Sequence, residues 1–302
     1  MKMQRVAVIG AGAMGSGIAQ VISQAGIEVL LKDVKQEYVD KGLANIKRMY
    51  DSRVKKEILS QAEADYLYGM VKGSTTYAGF DDVDLVIEAA LEQIEIKSEI
   101  FQEIDKHCPP HTILATNTSA LSISEIASKT RRPDKVMGMH FFNPAQTMKL
   151  VEVIPGLKTS RDTAEACMQF CRELNKIPVR VEECPGFLVN RLLFPYMNEA
   201  LHVVQEGVAS IHEVDAAVLQ LGLPMGPFTL FDMTGIDICA HVNDFLYTQY
   251  GPRFEPAKLL SLLVERQFYG QKTGSGFYHH PAGQPNKKGE SKEENPELAS
   301  LI

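Results

Sequence analysis

The run VIGAGAMG, residues 8–15, constrains this 302-residue chain more than any other stretch. Arg5 to Ile9 reads as a buried strand, and Ala13 to Gln24 as a helix stopped by Gly26. Between them Gly10, Gly12 and Gly15 have GxGxxG spacing, and Asp33 closes the next apolar run, Glu28 to Lys32. A strand that turns at once into a helix needs a tight corner, which Gly10 supplies. Gly12 leaves bare backbone for a pyrophosphate, and Gly15 lets the helix lie against the sheet. The unbonded N–H groups and dipole at the helix N-terminus favour phosphate. Asp33 is placed to accept both hydroxyls of an adenosine ribose and would repel a 2′-phosphate, so the pattern points to NAD over NADP. Lys32 and Lys35 beside it soften that preference. A structural turn with a surface aspartate is the alternative, and it leaves the strand–loop–helix–strand–acid order unexplained.

The alternation continues. Val83 to Ile87, Thr112 to Ala115, Lys135 to Met139, Leu150 to Ile154 and Ile177 to Val181 read as strands. Tyr38 to about Met70, Ile96 to Lys106, a short stretch after Ser122, and Asp162 to Asn175 read as helices; Ser122 and Glu125 have capping-box spacing. Continuously apolar strands between helices predict an α/β fold, a Rossmann-like, doubly wound and mostly parallel sheet. The texture changes at Glu182-Glu183-Cys184-Pro185-Gly186. Beyond it Phe187 to Val208 reads as one long helix, apolar on nearly all sides, with Pro195 predicting a kink. Ile211 to Leu221 is helical and Gly222 to Pro227 is a break. More helices follow from about Phe228 to Tyr250 and from Ala257 to Gln267. We therefore expect an NAD-binding domain over 1–184 and an all-α substrate and dimerisation domain over 185–302. That domain ends in a polar tail, with Pro281 to Glu297 expected as a mobile arm.

A formal net charge of -7 argues against nucleic acid or anionic lipid as partners. Cys108, Cys167, Cys171, Cys184 and Cys239 show no framework spacing, which suggests a reducing compartment. Cys167 and Cys171 share a helix face and read as a buried apolar pair rather than metal ligands. His279 and His280 lack a further ligand, so no metal is expected. Neither a signal peptide nor an apolar run of membrane-spanning length is visible, so a cytoplasmic location is expected.

In an open parallel sheet, ligands lie beyond the carboxyl ends of the strands. Glu92 follows one such end, Asn117, Thr118 and Ser119 a second, and His140 a third. His140 stands in the apolar run MGMHFFNP, where an imidazole could take a proton from a substrate hydroxyl as hydride leaves the same carbon. Glu152, from the neighbouring strand, could compensate the imidazolium and fix the ring's tautomer. Taken alone, each has a plainer reading: a satisfied core histidine, and an exposed acid at a strand end.

Five stretches together, VIGAGAMGSGIAQ, ATNTSALSISEIA, GMHFFNPAQTMKLVEVI, PGFLVNRLLFPYMNEA and KTGSGFY, carry a resemblance. The chain resembles the short-chain L-3-hydroxyacyl-CoA dehydrogenase family, of the 3-hydroxybutyryl-CoA dehydrogenase kind. The stretches run in family order from Val8 to Tyr278. The resemblance implies an oxidoreductase that interconverts (S)-3-hydroxyacyl-CoA and 3-oxoacyl-CoA with NAD, in fatty-acid β-oxidation or butanoate metabolism, as a homodimer. It implies His140 as base, Glu152 as its partner, and Ser119 and Asn190 as groups that bond the reacting oxygen and position the acyl group. Cofactor contacts would fall on Asp33, Glu92, Lys97, Ser119, Asn143 and Lys272. Asn190 would reach the site from the helical domain, and domain closure would exclude water. The basic cluster Lys47, Arg48, Arg53, Lys55 and Lys56 is either a solvated helix face or a clamp for the phosphates of coenzyme A, with Arg53 and Lys56 foremost. Two rival readings remain: a dehydrogenase of a free hydroxy acid such as L-gulonate, and a non-catalytic NAD-binding protein.

Overall fold

Eight strands form one sheet: β1 (Arg5–Ile9), β2 (Glu28–Lys32), β3 (Val71–Ser74), β4 (Leu85–Glu88), β5 (Ile113–Thr116), β6 (Val136–Phe141), β7 (Leu150–Pro155) and β8 (Ile177–Arg180). In this computed structural model, which describes residues 3–280 and 293–300, their order is β3-β2-β1-β4-β5-β6-β7-β8. All neighbours pair in parallel except β6 and β7. The chain divides into two compact units after Phe187.

The strands are apolar throughout because both faces of the sheet are covered. Val6, Val8, Val29, Leu31, Leu85 and Ile87 point to one side, against helices α1 (Ala13–Gln24), α2 (Gln36–Lys55) and α6 (Arg161–Glu173). Ala7, Ile9, Leu30 and Val86 point to the other, against α4 (Ile94–His107) and α5 (Ile123–Ala127). The direction of winding reverses between β1 and β4, so the loops after those strands flank the crevice where ligands of such sheets bind.

The second unit is helical: α7 (Val189–Gln205), α8 (Ile211–Gln220), α9 (Pro227–Thr234), α10 (Ile236–Tyr250) and α11 (Lys258–Glu265). Met197, Leu201, Phe228, Phe231, Leu246, Leu260 and Phe277 make its core. Two buried carboxylates lace it. Asp215 accepts the N–H groups that open α9 and the Tyr278 hydroxyl. Asp232 accepts the N–H groups of Phe277 and Tyr278 and pairs with the ring of His280 at 2.7 Å.

Several sequence expectations are corrected. The long helix expected over Tyr38 to Met70 is two helices, α2 and α3 (Gln61–Gly69), parted at Ser60. Ser60 and Glu63 form a reciprocal capping box that starts the second. Val71–Ser74 is an edge strand, unrecognised because Val71 is its only large apolar residue. His140 lies within β6 rather than after it. α7 buries one stripe only, at Phe194, Met197, Ala200, Leu201 and Val204, while Leu192 is 65% exposed. It is amphipathic, not apolar all round. Of the arm expected at Pro281 to Glu297, residues 281–292 lie outside the described residues. Glu293 to Glu297 are not an arm: Glu294 bridges to Tyr278, and Asn295 bonds the Gly276 carbonyl. Among the described residues no helix is long and apolar enough to cross a membrane. Cys167 and Cys171 are both buried on α6, and burial pushes the Cys171 thiol up to about 12.

Asp105 ties α4 to the segment that leads into β6. Its carboxylate accepts the Arg131 N–H and Nε at 3.0 Å each, and the Arg132 Nε at 2.6 Å. Burial pushes that carboxyl up, but the hydrogen bonds outweigh burial and hold it below its ordinary value of 3.8. A depressed carboxyl contributes its full stability above the ordinary value and loses it as pH falls through the lower, folded-state value. Asp105→Asn should therefore cost about 1–3 kcal/mol near neutral pH. In urea melts run at increasingly acid pH, its deficit against the parent should shrink.

Candidate active site

The glycine loop fits a dinucleotide in its details. Gly10 has φ +97, and a Cβ there would stand 2.4 Å from the Ala89 carbonyl oxygen. A Cβ on Gly15 would lie 1.7 Å from the Gly10 carbonyl oxygen, so the first turn of α1 is pressed against the end of β1. Gly12 caps α1 and is different: nothing stands within 4 Å of its missing Cβ. Two glycines are therefore required by the protein's own packing, and the third keeps open the face that a pyrophosphate would approach.

Asp33 is partly exposed at the end of β2. Its Oδ2 accepts the Ala11 N–H at 2.7 Å and its Oδ1 the Val34 N–H at 2.6 Å. The carboxylate thus braces the loop. Lys32 does not crowd that position as a surface cation. It is 6% exposed with Nζ 4.5 Å from the Tyr77 ring centroid, and burial, opposed by Asp33, pushes its amine down.

Beyond β4, β5 and β6 the polar groups converge. Glu92 Oε1 accepts the Thr118 hydroxyl at 2.5 Å and the Ser119 N–H at 2.8 Å. Asn117 Oδ1 accepts the Phe141 N–H at 2.8 Å, fixing the backbone beside His140. Register sets the central pair: in the antiparallel ladder of β6 and β7, His140 lies opposite Glu152. Side chains directly opposite each other project to the same face. His140 Nδ1 stands 2.7 Å from Glu152 Oε2, with side chains only 6% and 1% exposed. An ionised carboxylate only accepts, so against it Nδ1 carries a proton, and in the neutral ring Nε2 keeps its lone pair. The Ser119 hydroxyl lies 3.2 Å from that Nε2. Phe142 and Phe187 place their rings 4.4 Å and 5.9 Å from the imidazole, centroid to centroid. Met139 and Phe141 alternate to the other face of β6 and pack in the core there, while the rings of Phe142 and Phe187 flank the buried imidazole.

Lys97 is not at the surface. Its ammonium, 1% exposed, bonds Glu88 at 2.7 Å and faces Glu92 at 3.3 Å. Glu88 was missed in the sequence because the strand was read as ending at Ile87. The available signal was an acid closing an apolar strand, as Asp33 does. Asn143 is exposed on the loop after β6. Arg53 and Lys56 lie apart from the histidine, in a groove of about 440 Å³ lined also by Gln20, Arg48, Gln146 and Thr147. The last two come from the loop that follows His140. Among the described residues no group accepts a hydrogen bond from the buried Arg53 Nε. Lys47 instead pairs with Asp51 at 3.4 Å. Asn190, on the first turn of α7, and Lys272, held by Asp237 at 2.5 Å, belong to the second unit. Among the described residues no group of three His, Cys, Asp or Glu could hold a metal.

Comparison with known proteins points to an NAD-dependent dehydrogenase. Residues 5–184 match the family model described as 3-hydroxyacyl-CoA dehydrogenase, NAD binding domain, and residues 186–280 match its C-terminal domain. A 3-hydroxybutyryl-CoA dehydrogenase of Clostridioides difficile is 44% identical, over 91% of this chain and 99% of its own length. A probable 3-hydroxybutyryl-CoA dehydrogenase of Bacillus subtilis is 42% identical, over 93% and 98%. The crystal structure of (S)-3-hydroxybutyryl-CoA dehydrogenase from Ralstonia eutropha superposes with a TM-score of 0.89 at 40% identity, covering 92% of this chain and 99% of that one.

The glycine geometry separates packing from binding. Gly15→Ala should cost at least about 3 kcal/mol, because the added carbon meets backbone that cannot move aside. Gly12→Ala should change unliganded stability by only about 1 kcal/mol yet weaken NADH binding roughly tenfold or more. Thermal melts and fluorescence titration with NADH check both.

Proposed function

We propose a role for each residue of this site, from the premise that the chain belongs to the 3-hydroxyacyl-CoA dehydrogenase family. It is an NAD-dependent oxidoreductase of 3-hydroxyacyl-CoA. NAD, when bound, supplies the hydride acceptor. The glycine loop and Asp33 would hold its pyrophosphate and adenosine ribose; Glu92, Lys97, Ser119, Asn143 and Lys272 would complete its contacts. We assign the dinucleotide domain to 1–184 and the helical domain to 185–302. The substrate we favour is (S)-3-hydroxybutyryl-CoA, on the likeness to enzymes so named.

The observation that carries the reading is the line Ser119–His140–Glu152, a half-buried hydroxyl on a buried imidazole–carboxylate pair. His140 Nε2 takes the proton of the substrate's 3-hydroxyl as the carbon beneath it is oxidised. Its Nδ1–H bond to Glu152 holds the ring in the accepting tautomer and compensates the charge it gains. The Ser119 hydroxyl, already beside Nε2, is placed to bond the same substrate oxygen. Asn190 is assigned the acyl group. In the reverse direction the protonated ring returns the proton and a 3-oxoacyl-CoA is reduced. The Arg53 groove favours a phosphate-bearing coenzyme A ester over a free hydroxy acid, because an unpaired buried guanidinium donor suits an anion. We place the enzyme in the cytosol, where its five free thiols stay reduced. We infer a homodimer through the second unit, which exposes Leu192, Leu219 and Leu221.

The purified protein should oxidise NADH rapidly with acetoacetyl-CoA and use NADPH poorly. His140→Gln should lower kcat about 10²–10⁴-fold. Turnover surviving that substitution would sink the assignment of the base. Joint charge reversal of Arg53 and Lys56 should raise KM for the acyl-CoA about tenfold or more and leave NADH affinity unchanged; an unmoved KM removes the clamp.

A further inference from the structure

Glu88, Lys97 and Thr116 form a charged cluster directly beneath the site, and the proposed mechanism leaves Glu88 without a task. Glu88 is fully buried and meets three donors: Lys97 Nζ and the Ala90 N–H at Oε1, and the Thr116 hydroxyl at Oε2, each at 2.7 Å. Such a pair is a poor way to gain stability. The desolvation of two charges offsets most of their attraction, and apolar residues of similar volume would serve as well. What a saturated ion pair does provide is direction, because every bond it makes is angular and fixed.

The direction is legible in the contacts. Lys97 is gripped by Glu88, and its ammonium also faces Glu92 Oε2 at 3.3 Å. Glu92 turns its other oxygen to the Thr118 hydroxyl and the Ser119 N–H. Ser119 in turn meets His140 Nε2. Glu92 is partly exposed, its side chain at 43%, so these bonds hold its rotamer where packing is thin. A separate brace reaches the same strand: the Asn117 N–H donates to the Glu88 carbonyl, and the Asn117 side chain accepts the Phe141 N–H.

We propose that Glu88 is a positioning residue for the reaction: by anchoring Lys97 it holds Glu92 and the Thr118–Ser119 loop, and so sets the Ser119 hydroxyl against His140. It touches neither substrate nor cofactor in this role. The inference rests on the reading of His140 as the base. It predicts a defect in kcat, since a loop displaced by about an ångström costs roughly a hundredfold in rate.

The test is kinetic, on the full-length protein with NADH and acetoacetyl-CoA both saturating. Glu88→Gln, which keeps shape and removes charge, should lower kcat roughly ten- to a hundredfold. The dissociation constant for NADH, read by fluorescence, should rise by a smaller factor than kcat falls, because Glu88 reaches the cofactor's contacts only through Lys97 and Glu92. Lys97→Met and the double variant complete a cycle. Action through Lys97 predicts that the double variant loses no more than the worse single one. Should Glu88→Gln fail to fold, Thr116→Val, which removes one donor to Glu88, takes its place and should show a smaller loss of the same kind. A parental kcat in Glu88→Gln, a defect confined to NADH affinity, or additive losses in the cycle would overturn the proposal. His140→Gln run in parallel separates the two readings. If it stays active, the base assignment itself has failed. If it is inactive while Glu88→Gln turns over like the parent, only the positioning role has.

Discussion

The pairing of β6 with β7 is the constraint on which the rest depends. It is the one antiparallel junction in an otherwise parallel sheet. A parallel neighbour would have arrived through a crossover, with its register set by packing far from the site. The direct return through residues 142–149 instead brings Glu152 opposite His140 across one ladder, where side chains share a face at close range. A slip of one residue would point Glu152 into the opposite face of the sheet and leave a buried imidazole without its acceptor. The neighbours in the ladder, Met139 with Val153 and Phe141 with Val151, are all buried apolar pairs. Hydrophobic packing therefore enforces the register that the polar pair needs.

Around that pair the protein braces its loops with charge. Asp33 braces the glycine loop, Glu92 braces the Ser119 loop, and Lys97 lies between Glu92 and a buried Glu88. Asp33, Glu88 and Glu92 each accept at least one backbone N–H of a loop. Loops carry the ligand contacts in such sheets, and loops are the parts least fixed by packing. Acids at strand ends give them the rigidity of the sheet. The Arg53 groove is built differently, from long flexible cations on α2, which suits a charged handle held away from the reacting atoms.

How much of this could be read beforehand follows from range. The strand, glycine loop, helix and Asp33 lie within one stretch of chain, so their order already implied the α/β sheet and a dinucleotide. His140 and Glu152 were identifiable as an apolar-flanked base and an acid on the next strand. Their contact depended on the antiparallel turn, which no local pattern states. The break at Ser60 was legible as a capping box and was passed over because charge continues through it. β3 offered one large apolar residue and gave no periodic signal. Glu88 stood one residue beyond where its strand was read to end. The groove needed Gln146 and Thr147 to come up against α2 from far along the sequence. Asn190 entered only through the resemblance, since an amide on a helix carries no signal of its own.

The central claim is that Glu152 makes His140 a base. The direct measurement is kcat for Glu152→Gln with NADH and acetoacetyl-CoA saturating, alongside its melting temperature and NADH affinity. The side chain keeps its shape and can still meet Nδ1, but it no longer demands the proton there or compensates a charged ring. kcat should fall at least about a hundredfold, with NADH affinity within a few-fold of the parent. A kcat close to that of the parent, in a variant that binds NADH normally, would contradict it.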